Sequence, residues 1–315
     1  MSCPISHEAF EGAVSDAASE LLDQNEAVRQ FDRFGGTVFL ALFAPALYDQ
    51  AMDPEISAAL EATGRIANNP WERAGRTAAS DQLVFIGDDE ERIGESERLK
   101  RMHRDVKGIS PDGVRYSALN PETWNWIMYS TMFMHIDAFC ALTGNQLTDE
   151  DAQAIWDFGL SKLDHLQLPG RSRLLEDYTE ARVYYRTFAA ERLQPTPTSE
   201  AAVGHTLAPP RPDFVPWLAE PAWSVVAPMA GHVTAVLGFG IMDPAVRQHL
   251  PFRWTKRHDL EFTALSTAAR LGYRYLPRLL TETPLARNRR QYRRLTQQYQ
   301  DAGLSSFAPS SGKAS

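Results

Sequence analysis

The chain has 315 residues, 43% of them hydrophobic and 23% charged, with a formal net charge of −8. That length and balance let it bury a sizeable core without disulfides or a structural metal, and they exclude a disordered or fibrous protein. The acidic balance argues against nucleic acid as a partner, because phosphate neutralisation needs basic patches.

The cysteines, Cys3 and Cys140, form no Cys-x-x-Cys, which excludes thiolate zinc sites and covalent c-type haem attachment. Residues 1–30 are an acidic segment with no basic stretch leading into an apolar core. They do not read as a secretory signal, and a cytoplasmic location is expected.

In chain order the pattern is helix after helix. Residues 18–34 form an acidic amphipathic segment, and 36–50 are apolar nearly all round, as in a buried helix. A helix over 53–63 stops at Gly64 and the Asn68-Asn69-Pro70 breaker. The next helix, 71–85, is expected to pack on the core and to stop near Gly87. Residues 90–107 are strongly charged with an apolar stripe. After the turn chemistry of Pro111-Asp112-Gly113, Asn120-Pro121 supplies a cap and a first helical proline for a long apolar helix over 121–142. Thr148 caps another, to about Leu166, and 176–191 is a helix rich in tyrosine and arginine. Residues 194–212 hold five prolines and read as a long loop.

Residues 222–242 carry no formal charge and are about as long as a bilayer is thick. They contain Pro228, His232 and three glycines, so they read as a buried core helix, with membrane docking as the alternative and spanning disfavoured. A helix over 259–276 follows, then a basic helix from 287 and a tail expected to be disordered. The chain divides into the acidic segment 1–30, a helical domain 31–286 containing the proline-rich loop, and the basic C-terminal part 287–315. The fold class is all-α.

Phosphate loops, nucleophile elbows and zinc-protease helices are missing, so attention falls on the histidines. Helical spacing from Leu99, Met102 and Val106 sets His103 on the inward stripe, with Lys100 and Lys107 flanking the same face. An inward imidazole needs a hydrogen-bond partner or a metal, and two cations beside it would suit an anionic cofactor. The plain alternatives are a hydrogen-bonded core histidine and a solvated lysine face. Arg73 and Thr77 stand four apart on one helix face and could polarise bound oxygen or orient a polar ligand. An exposed arginine and an ordinary helical threonine are the alternative reading. His135, on the aromatic and methionine-rich 121–142 helix, and His232 are the rival histidines.

Three blocks carry a resemblance. They are Asn-Pro-Trp-x-Arg-x-x-Arg-Thr from Asn69, Arg-Leu-Lys-Arg-Met-His-Arg-Asp-Val-Lys-Gly from Arg98, and Pro-Asp-Gly-Val-Arg-Tyr-Ser-Ala-Leu-Asn-Pro-Glu-Thr-Trp-x-Trp from Pro111. Together they resemble the MpaB/rubber-oxygenase catalytic domain family, over roughly residues 31–260. The resemblance implies an all-α, globin-like core with additional helices around a non-covalent b-type haem. It implies His103 as the proximal iron ligand, with Lys100 and Lys107 where latex clearing proteins carry arginines. It also implies Arg73 and Thr77 as the distal pair, with Arg76 where those members carry a lysine.

The family's proposed catalytic glutamate has no clear counterpart, although Asp53, Glu55 and Glu61 lie in its neighbourhood. Ala44-Pro45 stands where many members have His-Pro, and Tyr129 where many have histidine. The expected function is a haem b-dependent oxygenase using O₂ on an apolar, isoprenoid or lipid-like substrate, most concretely by oxidative C=C cleavage. The electron donor, if one is needed, is not identified. Other haem oxidative chemistry (peroxidase-like or hydroxylating), a non-catalytic haem or O₂ carrier, and a haem-free helical scaffold are the competing expectations.

Overall fold

Capping residues in the sequence set where most helices begin. The protein is seen here as a computed structural model that describes residues 20–64, 70–170, 173–213 and 215–302. Segment 1–19, the Asn68-Asn69 breaker and the tail from 303 lie outside the described residues. Helix α1 (Glu26–Gly35) starts on Asn25, whose side-chain oxygen accepts the Val28 N–H. Next comes a 3-10 helix, Val38–Met52, unusually long for its kind, with Pro45 inside it. Asp53 then caps α2 (Pro54–Thr63), which closes on Gly64 in the left-handed region at φ 62°. Helices α3 (Pro70–Phe85) and α4 (Asp89–His103) form a hairpin. Strands β1 (Lys107–Ile109) and β2 (Arg115–Ser117) pair antiparallel, with Gly108 opposite Tyr116.

The long apolar helix is α5 (Pro121–Thr143), capped by Asn120 and ended by Gly144 at φ 76°, as expected from the sequence. Thr148 starts α6 (Asp149–Leu163) and Asp177 starts α7 (Tyr178–Arg192). Helix α8 (Pro197–Leu207) replaces most of the loop expected over 194–212. Pro197 occupies the first turn, where its missing N–H costs nothing, and Thr196 caps the helix, so the proline there starts a helix and does not break one.

Helix α9 (Glu220–Ile241) covers the uncharged segment but is buried mainly in its C-terminal half; Val225, Val226 and Met229 are exposed. The segment Trp217–Ile241 is long and apolar enough to cross a membrane by those criteria alone. The chain ends in α10 (Pro244–Arg247), α11 (Lys256–Tyr275), α12 (Arg278–Thr281) and α13 (Pro284–Asp301). Among the described residues the two short strands are the only strands, and the fold is all-α.

The core is built on α5. Trp126, fully buried, stacks on Phe188 at 4.3 Å and on Tyr185 at 4.8 Å between centroids. Phe133 stacks on Trp156 of α6 at 5.2 Å, and Arg182 of α7 lies over Phe133 while pairing with Asp137 at 2.8 Å. The 3-10 helix lies against α5, α8 and α9. At that crossing, any Cβ on Gly238 would come within 2.8 Å of the Pro45 ring. The aromatic residues of α5 are therefore mostly core: Trp126, Phe133 and Phe139 are buried against neighbouring helices.

Candidate functional site: the open end of the α3–α4 hairpin

The hairpin is tied at its closed end. Asp88 and Glu91 form a capping box, each side chain accepting the other's backbone N–H, and Gly87 makes the turn, where a Cβ would strike the Leu83 carbonyl. Midway, the Ser80 hydroxyl donates to Glu95, a buried carboxylate. Glu95 also accepts from Arg98 Nε at 2.6 Å, and that charge-assisted bond holds its pKa below the usual value against the opposing effect of burial.

The Ser80–Glu95 contact fixes the antiparallel register. Arg73 is seven residues before Ser80 and His103 is eight after Glu95. At the helical rise these lie about 11 and 12 Å along the axes, towards the same, open end. The structure thus brings the helix bearing Arg73 and Thr77 beside the helix bearing His103.

His103 is the last residue of α4 and is half-buried. Its Nδ1–H donates to the Leu99 carbonyl at 2.7 Å, and its ring meets the Trp124 ring edge-on at 5.5 Å. Trp124 is itself fixed by its indole N–H on the Leu166 carbonyl at 2.8 Å. With Nδ1 engaged on a carbonyl, Nε2 is the nitrogen a metal would take, and the hydrogen bond behind it raises its basicity.

The sequence expectation of a fully inward stripe fails because α4 ends at His103. Val106 is therefore not on the helix, and Met102 is 41% exposed. Nor do Lys100 and Lys107 flank the ring as a pair. Lys100 donates to the His165 carbonyl, and burial pulls its pKa down. Lys107 is exposed on β1.

On α3, residues 74–79 (Ala-Gly-Arg-Thr-Ala-Ala) are all exposed, and a Cβ on Gly75 would meet nothing within 4 Å. This corrects the expectation that the helix packs on the core along its length. Arg73 is half-buried, Thr77 is exposed, and Arg76 is tied to Glu72 at 2.5 Å on the surface. Trp71, at the start of α3, meets Trp223 of α9 at 6.3 Å between rings, and their indole N–H groups donate to the carbonyls of Pro210 and Pro209. The exposed half of α9 is thus linked to the exposed run of α3 by this tryptophan contact.

The rival histidines are engaged elsewhere. His135 is buried at 1% exposure and stacks on Phe85 at 4.4 Å. Its Nδ1–H donates to the Thr131 carbonyl, and its Nε2 lies 3.4 Å from an Asp81 oxygen, ion-pair range without hydrogen-bond geometry. Burial pushes its pKa down, but the carboxylate more than offsets this and the net shift is upward. His232 pairs with Glu261 of α11 at 2.8 Å.

The carboxylates near the family's glutamate position all have structural partners. Asp53 caps α2 and pairs with Arg192 at 3.0 Å. Glu55 accepts from Asn120 at 2.8 Å and from the Ser117 N–H at 3.2 Å, joining β2 to the start of α5. Glu61 accepts from Ser57 at 2.8 Å.

Sequence reasoning passed over Asp49, a residue of the 3-10 helix at 1% exposure. It accepts from Ser130 and Tyr185 at 2.6 Å each, and burial raises its pKa to about 6 against those bonds. A lone carboxylate in an apolar run was the available signal.

Among the described residues no three His, Cys, Asp or Glu side chains converge as a metal-ion site. A single engaged histidine beside an uncovered face of alanine and glycine fits a group that brings its own equatorial ligands. A haem is such a group, flat and largely apolar.

The fold is all-α, and His103 is its one candidate ligating histidine. The family described as ER-bound oxygenase mpaB/B'/rubber oxygenase, catalytic domain, matches residues 32–271. The chain belongs to that family of oxygenase catalytic domains. No curated protein and no solved structure matches it.

Proposed function

We propose that this chain is a haem b-dependent oxygenase acting with O₂ on an apolar substrate. The observation that carries the reading is the hairpin geometry: His103, with Nδ1 committed to Leu99, stands at the same end as Arg73, Thr77 and the uncovered face of α3. Haem bound there would supply the activation of O₂. His103 Nε2 would hold the iron, and Trp124 keeps the imidazole plane from turning. Arg73 and Thr77 are the hydrogen-bond donors on the facing helix, suited to orient O₂ and to stabilise negative charge as it develops on oxygen. Met102 of α4 and Val226 and Met229 of α9 offer exposed apolar surface to a substrate of isoprenoid or lipid-like character.

The most concrete reaction is cleavage of a C=C bond. That bond breaks, each carbon gains one atom of O₂ as a carbonyl, and the balance needs no external reductant. Hydroxylation on the same scaffold, which puts one atom of O₂ into the product and the other into water, would need two electrons from a separate donor.

The test begins with the visible spectrum of protein expressed with ample haem, beside the His103→Ala variant, with pyridine hemochrome to type the haem. A b-type Soret band, lost in a variant with unchanged far-UV dichroism, is expected. A band unchanged by the substitution moves the ligand to His135 or His232, and no band at all removes the haem reading. With haem in place, ¹⁸O₂ should label both carbonyl fragments of a cleaved isoprenoid.

A further inference from the structure

The charges of the chain are unevenly placed. Between Arg253 and Arg294 there are eleven arginines and lysines and three carboxylates, in a protein whose formal net charge is −8. On α13, Arg289 pairs with Asp88 and Glu91, and Arg290 with Glu282, so part of this charge is neutralised within the fold.

Around the end of α11 it is not. Arg33, Arg274 and Arg278 gather near Tyr273: Arg33 lies 5.9 Å from the ring, Arg278 lowers the pKa of its hydroxyl against a larger rise from burial, and Arg274 is one residue on. All three arginines are exposed, and none is ion-paired with a carboxylate among the described residues.

The same corner carries apolar side chains with nothing over them. Tyr275, Leu279 and Leu280 are 70%, 64% and 65% exposed, with Leu271, Leu276 and Val38 about half exposed. Val38 belongs to this patch because the chain on either side of it is fastened there. Thr37 bridges to Glu282, and Phe39 meets Tyr273 at 5.8 Å and approaches Gly272. Beneath the tip, Thr281 and Glu282 are buried and the Thr283 N–H donates to the Gly36 carbonyl at 2.9 Å, so the projection stands on a fixed base.

We infer that this corner docks the protein on an anionic lipid surface, with Tyr275, Leu276, Leu279 and Leu280 entering the headgroup region and Arg33, Arg274 and Arg278 meeting lipid phosphates and carboxylates. Leucine and tyrosine at the tip of a rigid projection, ringed by unpaired arginines, match what interfacial binding requires. A two-fold contact with a second copy would bring the arginine clusters of both copies together. The other exposed apolar stretch, on α9, lacks this ring: its nearby charges Arg211 and Glu220 neutralise each other at 2.7 Å. The inference is independent of haem, since no residue of the α3–α4 hairpin enters it.

The test is flotation of the full-length protein with vesicles of phosphatidylcholine alone and of phosphatidylcholine with 30% phosphatidylserine. Binding is expected only to the second, and it should weaken sharply between 0.1 and 1 M NaCl. The pairs Leu279→Glu with Leu280→Glu, and Arg274→Glu with Arg278→Glu, should each lower partitioning at least about tenfold with unchanged far-UV dichroism. Val226→Glu with Met229→Glu should leave it unchanged. Equal binding to both vesicles, no binding to either, or loss only in the α9 pair overturns the proposal. So does a concentration-dependent dimer in sedimentation velocity that the Leu279→Glu pair abolishes.

Discussion

Lys162 of α6 shows how one buried charge sets a pH dependence. It is 7% exposed, its ammonium sits 4.7 Å over the Phe158 ring, and it has no carboxylate partner within ion-pair range among the described residues. Burial, with Arg92 and Arg293 adding repulsion, pulls its pKa down to about 8 against the attraction of Asp32 and Asp89. In the unfolded chain it titrates near ~10.4. Below about pH 8 the lysine is protonated in both states and the fold bears the full penalty, roughly 3 kcal/mol. From about 8 to 10.4 the unfolded chain binds more protons, so stability rises with pH. Lys162→Met keeps an unbranched stem and removes the charge. It should stabilise the protein by about 1–3 kcal/mol at pH 7, with the advantage shrinking to near zero by about pH 10. Urea titrations of both proteins from pH 7 to 10 check this; an advantage that does not change with pH would contradict it.

Helix packing turns on where glycine lets two backbones touch. On α9, a Cβ at Gly231 would come within 2.1 Å of the Thr206 carbonyl and 3.1 Å of the Leu207 carbonyl, both at the end of α8. Those are backbone atoms, which cannot swing aside. Gly231→Ala should therefore cost about 1–3 kcal/mol by forcing α8 off α9. Gly75→Ala, on the uncovered run of α3, should stabilise the haem-free protein by about 0.5–1 kcal/mol through helix propensity alone. Thermal melts of the two variants should shift in opposite directions.

The same elements show what was legible beforehand. Asn120-Pro121 and Thr148 start helices in the structure because a side-chain oxygen satisfying backbone N–H groups is a local device readable from sequence. Helix α8 is hidden by the five prolines of 194–212, because proline in a first turn starts a helix and a proline count does not show that. His103 is legible as a candidate, but its half-buried placement is not, since α4 stops at His103 without a glycine or proline there to mark the end. The exposed run of α3 was equally hidden: alanine and glycine suit a packed face and a bare one alike.

Across the whole molecule, one core around α5 supports two uncovered surfaces of different character. The arginine-ringed corner at α11 and α12 is built from large side chains on a fixed base. The run 74–79 on α3 is built mostly from small ones and is exposed at every position. Helical stability in proteins comes mostly from packing one face, so a bare segment should open readily. In haem-free protein, amides 74–79 should exchange within the fast class, while those of α5 exchange only through global unfolding. If a haem covers α3 and is held by His103, free hemin at about 100 times its dissociation constant should add about 2.7 kcal/mol, a melting rise of roughly 4–8 °C. Protection should rise over 74–79 at the same time. In His103→Ala both changes should shrink together, because ligand and covering would be lost as one event. A hemin-induced melting rise with α3 still exchanging fast would place the binding elsewhere on the fold, even with the Soret band present.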